Sequence, residues 1–231
     1  MKKFFALTIL LMMICATTFA EEISPPIISV NGEGIVNVEP DRATITVGVV
    51  TREKNSAAVQ NSNARAAQSV INAIVALGIE RRNITTGGYN FSPTYRQVNG
   101  RSEIDGYEAT NSVTIIVDDL KLVGKIIDAA LANGANQINS LNFGLRNRVA
   151  AQDEALKLAV LDAKRKAEIA AAALGKNILS VRNVTINSAS VNAPRYKFAR
   201  AMEDSANFET PVESGSLQCS ASVHVEFEIS R

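Results

Sequence analysis

Apolar and polar residues alternate from Ile27 to Val38 (IISVNGEGIVNV) and again from Ala43 to Thr51 (ATITVGVVT), with Glu39-Pro40-Asp41 between the two runs. A period of two over this length predicts strands with one covered face, and the Pro-Asp pair supplies turn chemistry. From Asn55 the period changes. Val59, Ala66, Val70, Ile74 and Leu77 recur at helical spacing until Gly78, with Asn55 or Ser56 available as the N-cap and Gly78 as the stop. Ile84 to Tyr95 and Tyr107 to Val117 again read as strands. The polar stretch from Arg96 to Asp105, with Asn99-Gly100 at its centre, reads as the hairpin connection between them.

The pattern then repeats in type. Asp118 or Asp119 caps a helix whose Leu122, Val123, Ile126, Ile127 and Ala130 share a face; Asn133-Gly134 ends it before a strand around Ile138 to Leu145. A third helix is expected from about Val149 to Leu174, stopped by Gly175. Its alanines, among them Ala159, Ala163, Ala167 and Ala171, permit close approach to a sheet or a neighbouring helix. Strands follow at Ile178 to Ser188 and Gln218 to Ile229. Between Ala189 and Ser216 periodicity vanishes, and a connection this long inside one domain is either functional or without fixed structure.

Ala76-Leu77-Gly78 leading to Asn83-Ile84-Thr85 is echoed by Ala173-Leu174-Gly175 leading to Asn183-Val184-Thr185. The echo is consistent with a duplicated βαβ-like unit, though too short to prove one. Strands and helices alternate without Gly-rich phosphate turns, and hairpins join several strands directly. The expected fold is therefore α+β, a largely antiparallel sheet packed on one face by three helices.

Charge and the first twenty residues change the picture in one respect: they say where the chain works. Lys2 and Lys3 precede an apolar run from Phe4 to Ile14, and Thr18-Phe19-Ala20 forms a small-x-small exit before Glu21, which predicts a signal peptide over residues 1–20 and a mature domain over 21–231. The hydrophobic run of 11 residues is short of the roughly 20 that cross a bilayer, so no transmembrane anchor is expected in the mature form. Cys15 is not placed for lipidation, since Ile14 ahead of it is not small. Cleavage after Ala20 leaves Cys219 as the single mature cysteine, too few for a disulfide framework. The full chain carries 24 Lys and Arg against 23 Asp and Glu, and without Lys2 and Lys3 the balance is 22 against 23. No basic face for nucleic acid is apparent, and an aromatic content of 5% without Trp argues against ring platforms for bases or carbohydrate.

Candidate chemistry is sparse. His224 is the only histidine, and in the strand ending at Ile229 it points away from Cys219, toward Glu226 and Glu228, which disfavours a Cys-His nucleophile pair. One mature cysteine and one histidine cannot make a structural zinc site. Gly32-Glu33-Gly34 lacks the rest of a phosphate loop and reads as close packing or a bulge within a strand. Neither Asp118-Asp119 nor Glu203-Asp204 has calcium-loop spacing. No catalytic residue, metal or cofactor is expected. The candidate interaction segment lies in the aperiodic stretch, where Tyr196, Phe198, Met202 and Phe208 stand among Arg195 and Arg200 as apolar groups unfavourable to leave in water.

Three stretches, Val30 to Val49, Gly106 to Leu145 and Thr210 to Ile229, resemble in order the opening, middle and closing parts of the SIMPL-domain family. The resemblance implies an exported, often oligomeric α+β protein without established catalytic residues, linked to envelope or oxidative stress tolerance. It transfers no functional residue, because Gly32, Gly34, Pro40 and Asp41, which carry the motif, look architectural. The function expected is that of a non-enzymatic periplasmic protein that self-associates, with envelope proteins as further partners. The alternative is a binding module for a small ligand or peptide.

Overall fold

A computed structural model describes residues 25–187, 190–192 and 210–231. The expected signal peptide, Cys15, and Arg195, Tyr196, Phe198, Arg200, Met202 and Phe208 lie outside the described residues. The described strands are antiparallel, as expected, but they divide between two sheets. The first sheet contains β1 (Ile27–Val38), β8 (Leu217–Ile229), β6 (Ile178–Ile186) and the short β7 (Ser190–Asn192). β8 is central, with β1 on one side and β6 and β7 in succession on the other. The second has the order β3 (Ile84–Val98), β4 (Arg101–Val117), β2 (Arg42–Glu53), β5 (Gln137–Gly144). Helices α1 (Ser56–Ala76) and α2 (Val123–Ala132) pack on the second sheet, and α3 (Arg148–Ala173) on the first.

The helix limits follow local chemistry. Asn55 caps α1 by accepting from the N–H groups of Ala57 and Ala58, and Gly78 leaves the helix at φ +90°. Asp119 caps a short 3₁₀ turn, Leu120–Leu122, that leads into α2, while Asp118 instead pairs with Arg42 at 2.8 Å. The hairpin differs from expectation. Asn99 (φ +51°) and Gly100 (φ +78°) form a two-residue turn with both residues left-handed, so the ladder continues to Val98 opposite Arg101. The stretch from Arg96 to Asp105 is thus mostly strand; it is polar because the hairpin end is solvated, not because it is a loop.

Both sheets are built by the same path. β2, α1, β3 and β4 run strand, helix, edge strand, central strand, and β1, α3, β6 and β8 do the same. The Leu-Gly stops occupy matching places, since Leu77-Gly78 leads to Ile84 opposite Ile115 and Leu174-Gly175 to Ile178 opposite Ile229. The second unit, with α2 and β5 added, is inserted between the first strand and the helix of the other.

The buried residues of α3 are all alanine: Ala151, Ala155, Ala159, Ala163, Ala167 and Ala171, one every fourth position. At 100° per residue that stripe drifts about 40° per step, so it winds around the helix as it follows a twisted strand. Opposite it stand Gly32 and Gly34. A Cβ on Gly32 would lie 2.0 Å from the Ala159 carbonyl oxygen, and one on Gly34 would lie 1.9 Å from that of Ala155. Neither position has a positive φ; both are glycine because the helix backbone fills the space a side chain would need. α1 makes the bulkier contact, through Val59, Ala67, Val70 and Ile74, with Asn63 fully buried among them.

Gly34→Ala should therefore destabilise the protein by about 3 kcal/mol or more, because backbone rather than a flexible side chain must give way. Gly88→Ala, where a Cβ would meet nothing within 4 Å, should change stability by less than about 0.5 kcal/mol. Urea unfolding midpoints of the two variants against the parent check both values.

Candidate functional site

The middle of the outer edge of β1 is covered by side chains of α3. Asp162 accepts the Glu33 backbone N–H at 3.1 Å, and Lys166 donates to the Asn31 carbonyl at 2.9 Å. Asp162 also pairs with Lys166 and Arg165, each at 2.7 Å. Together the Lys166 ammonium, the Glu33 N–H and the Arg165 guanidinium hold this carboxyl far below the usual aspartate range. A strand edge that would otherwise present free donors and acceptors is thus occupied from within the chain. At the next corner Asp41 accepts the Arg146 N–H at 2.7 Å and donates its own N–H to the Gly144 carbonyl, tying the β1–β2 turn to the β5–α3 turn. Pro40 is buried beside it.

Three other edge strands, β6, β3 and β5, are handled differently. β6 carries two bulges, at Leu179 and Arg182, within nine residues. β3 has Pro93 and an extra residue at Gly87. β5 has an extra residue at Asn139, and beyond its end the Asn136 amide takes the place of a strand, bonding both the N–H and the carbonyl of Val50 at 3.0 and 2.7 Å. Bulges and proline spoil the register a foreign strand would need.

Protected edges nonetheless border uncovered faces. α3 lies over β1 and β8, and α1 over β2 and β4, so the helix-side faces of β6 and β3 are left open. On β6, Val181, Val184 and Ile186 stand opposite the core residues Phe227, Val225 and Val223, yet are 55%, 47% and 60% exposed. On β3 and β4 the corresponding row holds Tyr89, Phe91, Pro93, Tyr95, Tyr107 and Ile104, with Phe91 stacked on Tyr107 at 5.6 Å between ring centres. Low overall aromatic content concealed this concentration. The signal in the sequence was the two-residue spacing of Tyr89, Phe91, Pro93 and Tyr95.

His224 sits on the polar face of the first sheet, its Nδ1 2.8 Å from the Asn31 amide oxygen, and Cys219 is buried on the opposite face, where burial pushes its thiol up. Among the described residues no group of three His, Cys, Asp or Glu side chains could hold a metal ion. Two parts of the expected aperiodic segment lie among the described residues: Ser190–Asn192 pairs with β8, and Thr210 donates its N–H, at 3.1 Å, and its hydroxyl to Asp128 on α2. Between Pro211 and Gly215 (φ +58°) the chain turns into β8, with Val212 packed against the core.

The α+β architecture has a Gly-x-Gly first strand and a Pro-x-x-x-Gly turn into the last. The SIMPL family, described as a protein of unknown function (DUF541), matches residues 28–227, and the chain belongs to it. It is 30% identical over 213 residues to the 26 kDa periplasmic immunogenic protein of Brucella melitensis biotype 1, covering 89% of this chain and 85% of that one. The same figures hold for the protein of that name in Brucella abortus. It is 24% identical over 205 residues to the uncharacterized protein YggE of Escherichia coli K12, covering 88% and 83% of the two chains.

Two measurements check this description. An aspartate held below its ordinary range contributes stability that is complete above about pH 4 and is lost as pH falls further and the unfolded chain takes up the proton first. Asp162→Asn should therefore lower the urea midpoint at pH 7 and narrow its difference between pH 7 and pH 3. Cys219 should resist a thiol reagent in native buffer and react once urea unfolds the chain. Prompt labelling of the native protein would contradict its burial.

Proposed function

We propose that this SIMPL-domain protein is exported, works in the periplasm without catalysing a reaction, and associates with copies of itself through the 189–216 segment. The single observation that carries this reading is the open row of Val181, Val184 and Ile186 on the strand that leads into that segment. Roughly half-exposed aliphatic side chains on a continuous face are unfavourable in water at about 25 cal/mol per Å², and contact with another copy relieves that. Export is supported by the composition of residues 1–20 and by the printed name of the Brucella relatives. A part in envelope or oxidative stress tolerance belongs to the same proposal and rests on the family resemblance.

The contacts of Ser190–Asn192 and Thr210 define the test. Replacing residues 193–209 with a Gly-Ser linker of equal length keeps β7 and the Thr210–Asp128 contact. It should lower the oligomeric state seen by light scattering while leaving circular dichroism unchanged. Val184→Thr with Ile186→Thr should act in the same direction. A parent protein that is monomeric at micromolar concentration, or an oligomer untouched by the linker, would falsify the proposal.

A further inference from the structure

Six aromatic side chains lie among the described residues, and four of them, Tyr89, Phe91, Tyr95 and Tyr107, share the open helix-side face of the β3–β4 hairpin. Tyr89, Phe91 and Tyr95 are 50%, 40% and 60% exposed, and Ile104, opposite Tyr95, is 55% exposed. We propose that this face is a binding site for a neutral glycan, whose pyranose rings stack on the aromatic row.

Four observations select that ligand. The row itself, Tyr89, Phe91, Pro93, Tyr95, Tyr107 and Asn111, carries no charged side chain; at its border Glu53 stands opposite Tyr107 while Lys54 and Asp105 pair with each other, so an occupant without net charge complements it. Its exposed area is on the order of 400 Å², about half of what each partner buries in a standard protein interface, which suits a small ligand better than a second copy. Strand addition is discouraged because Pro93 has no N–H to offer and the extra residues at Gly87 and Asp105 break the register on either side. Contact must then be made through the faces of the rings rather than the strand edge. Finally, the amide oxygen of Asn111, directly opposite Tyr89, accepts no hydrogen bond, and neither does that of Asn63 on α1. Asn63 donates to the carbonyls of Val49 and Ala109 and so stands beside the row, on the same side of the sheet.

A buried acceptor without a donor is costly, by about 1–3 kcal/mol, and the partly exposed Asn111 amide turns about a soft terminal torsion. Pyranoses with equatorial substituents present the matching chemistry, flat C–H faces for the rings and peripheral O–H or N–H donors for the amide. Tyr107, already stacked on Phe91, fixes the platform before a ligand arrives, which spares the ordering cost of binding.

The chain contains no Trp, so its ultraviolet emission comes from four tyrosines, three of which lie in the row. Titrating the mature protein with chitotetraose should give a saturable change in that emission. Tyr89→Ala and Phe91→Leu should each weaken binding about tenfold with circular dichroism unchanged, whereas Phe91→Tyr should retain it. Asn111→Leu should weaken it while leaving the emission of the free protein intact. Absence of saturation at millimolar sugar would overturn the inference, as would equal binding by Phe91→Leu, which keeps the apolar area and loses the ring. Saturation by an aromatic pentapeptide such as Val-Phe-Val-Tyr-Val in place of the sugar would also overturn it.

Discussion

The contact between the first strand and the third helix governs the rest of the molecule. With glycine at residues 32 and 34 and alanine at every fourth helical position, backbone meets backbone with no intervening layer of large side chains. Interiors tolerate neither gaps nor overlap, so such a contact has a single geometry where a leucine-lined one would have several. Once it is set, Asp162 and Lys166 fall opposite the free N–H and carbonyl of β1, and the middle of the strand edge is covered without a further element. Small residues and an ion cluster thus do together what neither does alone. The first gives proximity; the second uses it.

Edge strands are the recurrent problem of a fold made of two narrow sheets. Each has two edges, and each edge is handled by a different device: carboxylate and ammonium on β1, paired bulges on β6, proline with a bulge on β3, and a strand-mimicking asparagine beyond β5. These devices suppress lateral pairing of backbones. They do not cover faces, and a helix laid over two of three strands leaves β6 open in one unit and β3 in the other. The apolar rows on β6 and β3 are therefore a geometric consequence of the shared strand-helix-strand-strand path. Their contents differ, aliphatic in one and aromatic in the other.

Much of this was legible in the sequence. Period-two runs located β1, β2, β4 and β8, and Leu-Gly stops located the helix ends, because both signals are local. The phase of the last strand put Cys219 inside and His224 outside without ambiguity. What escaped was set by pairing at a distance. Nothing local says that β8 joins β1 rather than the strands preceding it in sequence, so the division into two sheets was hidden. Asp162 reads as one more acid on a solvated helix until β1 is placed beside it. Asn63 is polar at a helical core position, which the apolar pattern does not register, and the aromatic row is diluted by a low average. The polar hairpin end was misread because polarity marks solvation and not loop structure.

The nesting of one unit inside the other has a consequence for the order of assembly. Ile27 pairs with Glu228, so the first described strand waits for almost the last residues of the chain before it has a ladder partner. The inserted unit can close its own sheet from residues 42 to 144, while the outer sheet must close a loop of about two hundred residues. Closure entropy grows only logarithmically, by about 0.6 kcal/mol for each doubling of loop length, so the penalty falls less on stability than on the rate of search. For a chain emerging N-terminus first, the inner unit acts as a scaffold that shortens that search, bringing Arg42 and Gly144, and with them the roots of β1 and α3, to adjacent strands before β8 arrives.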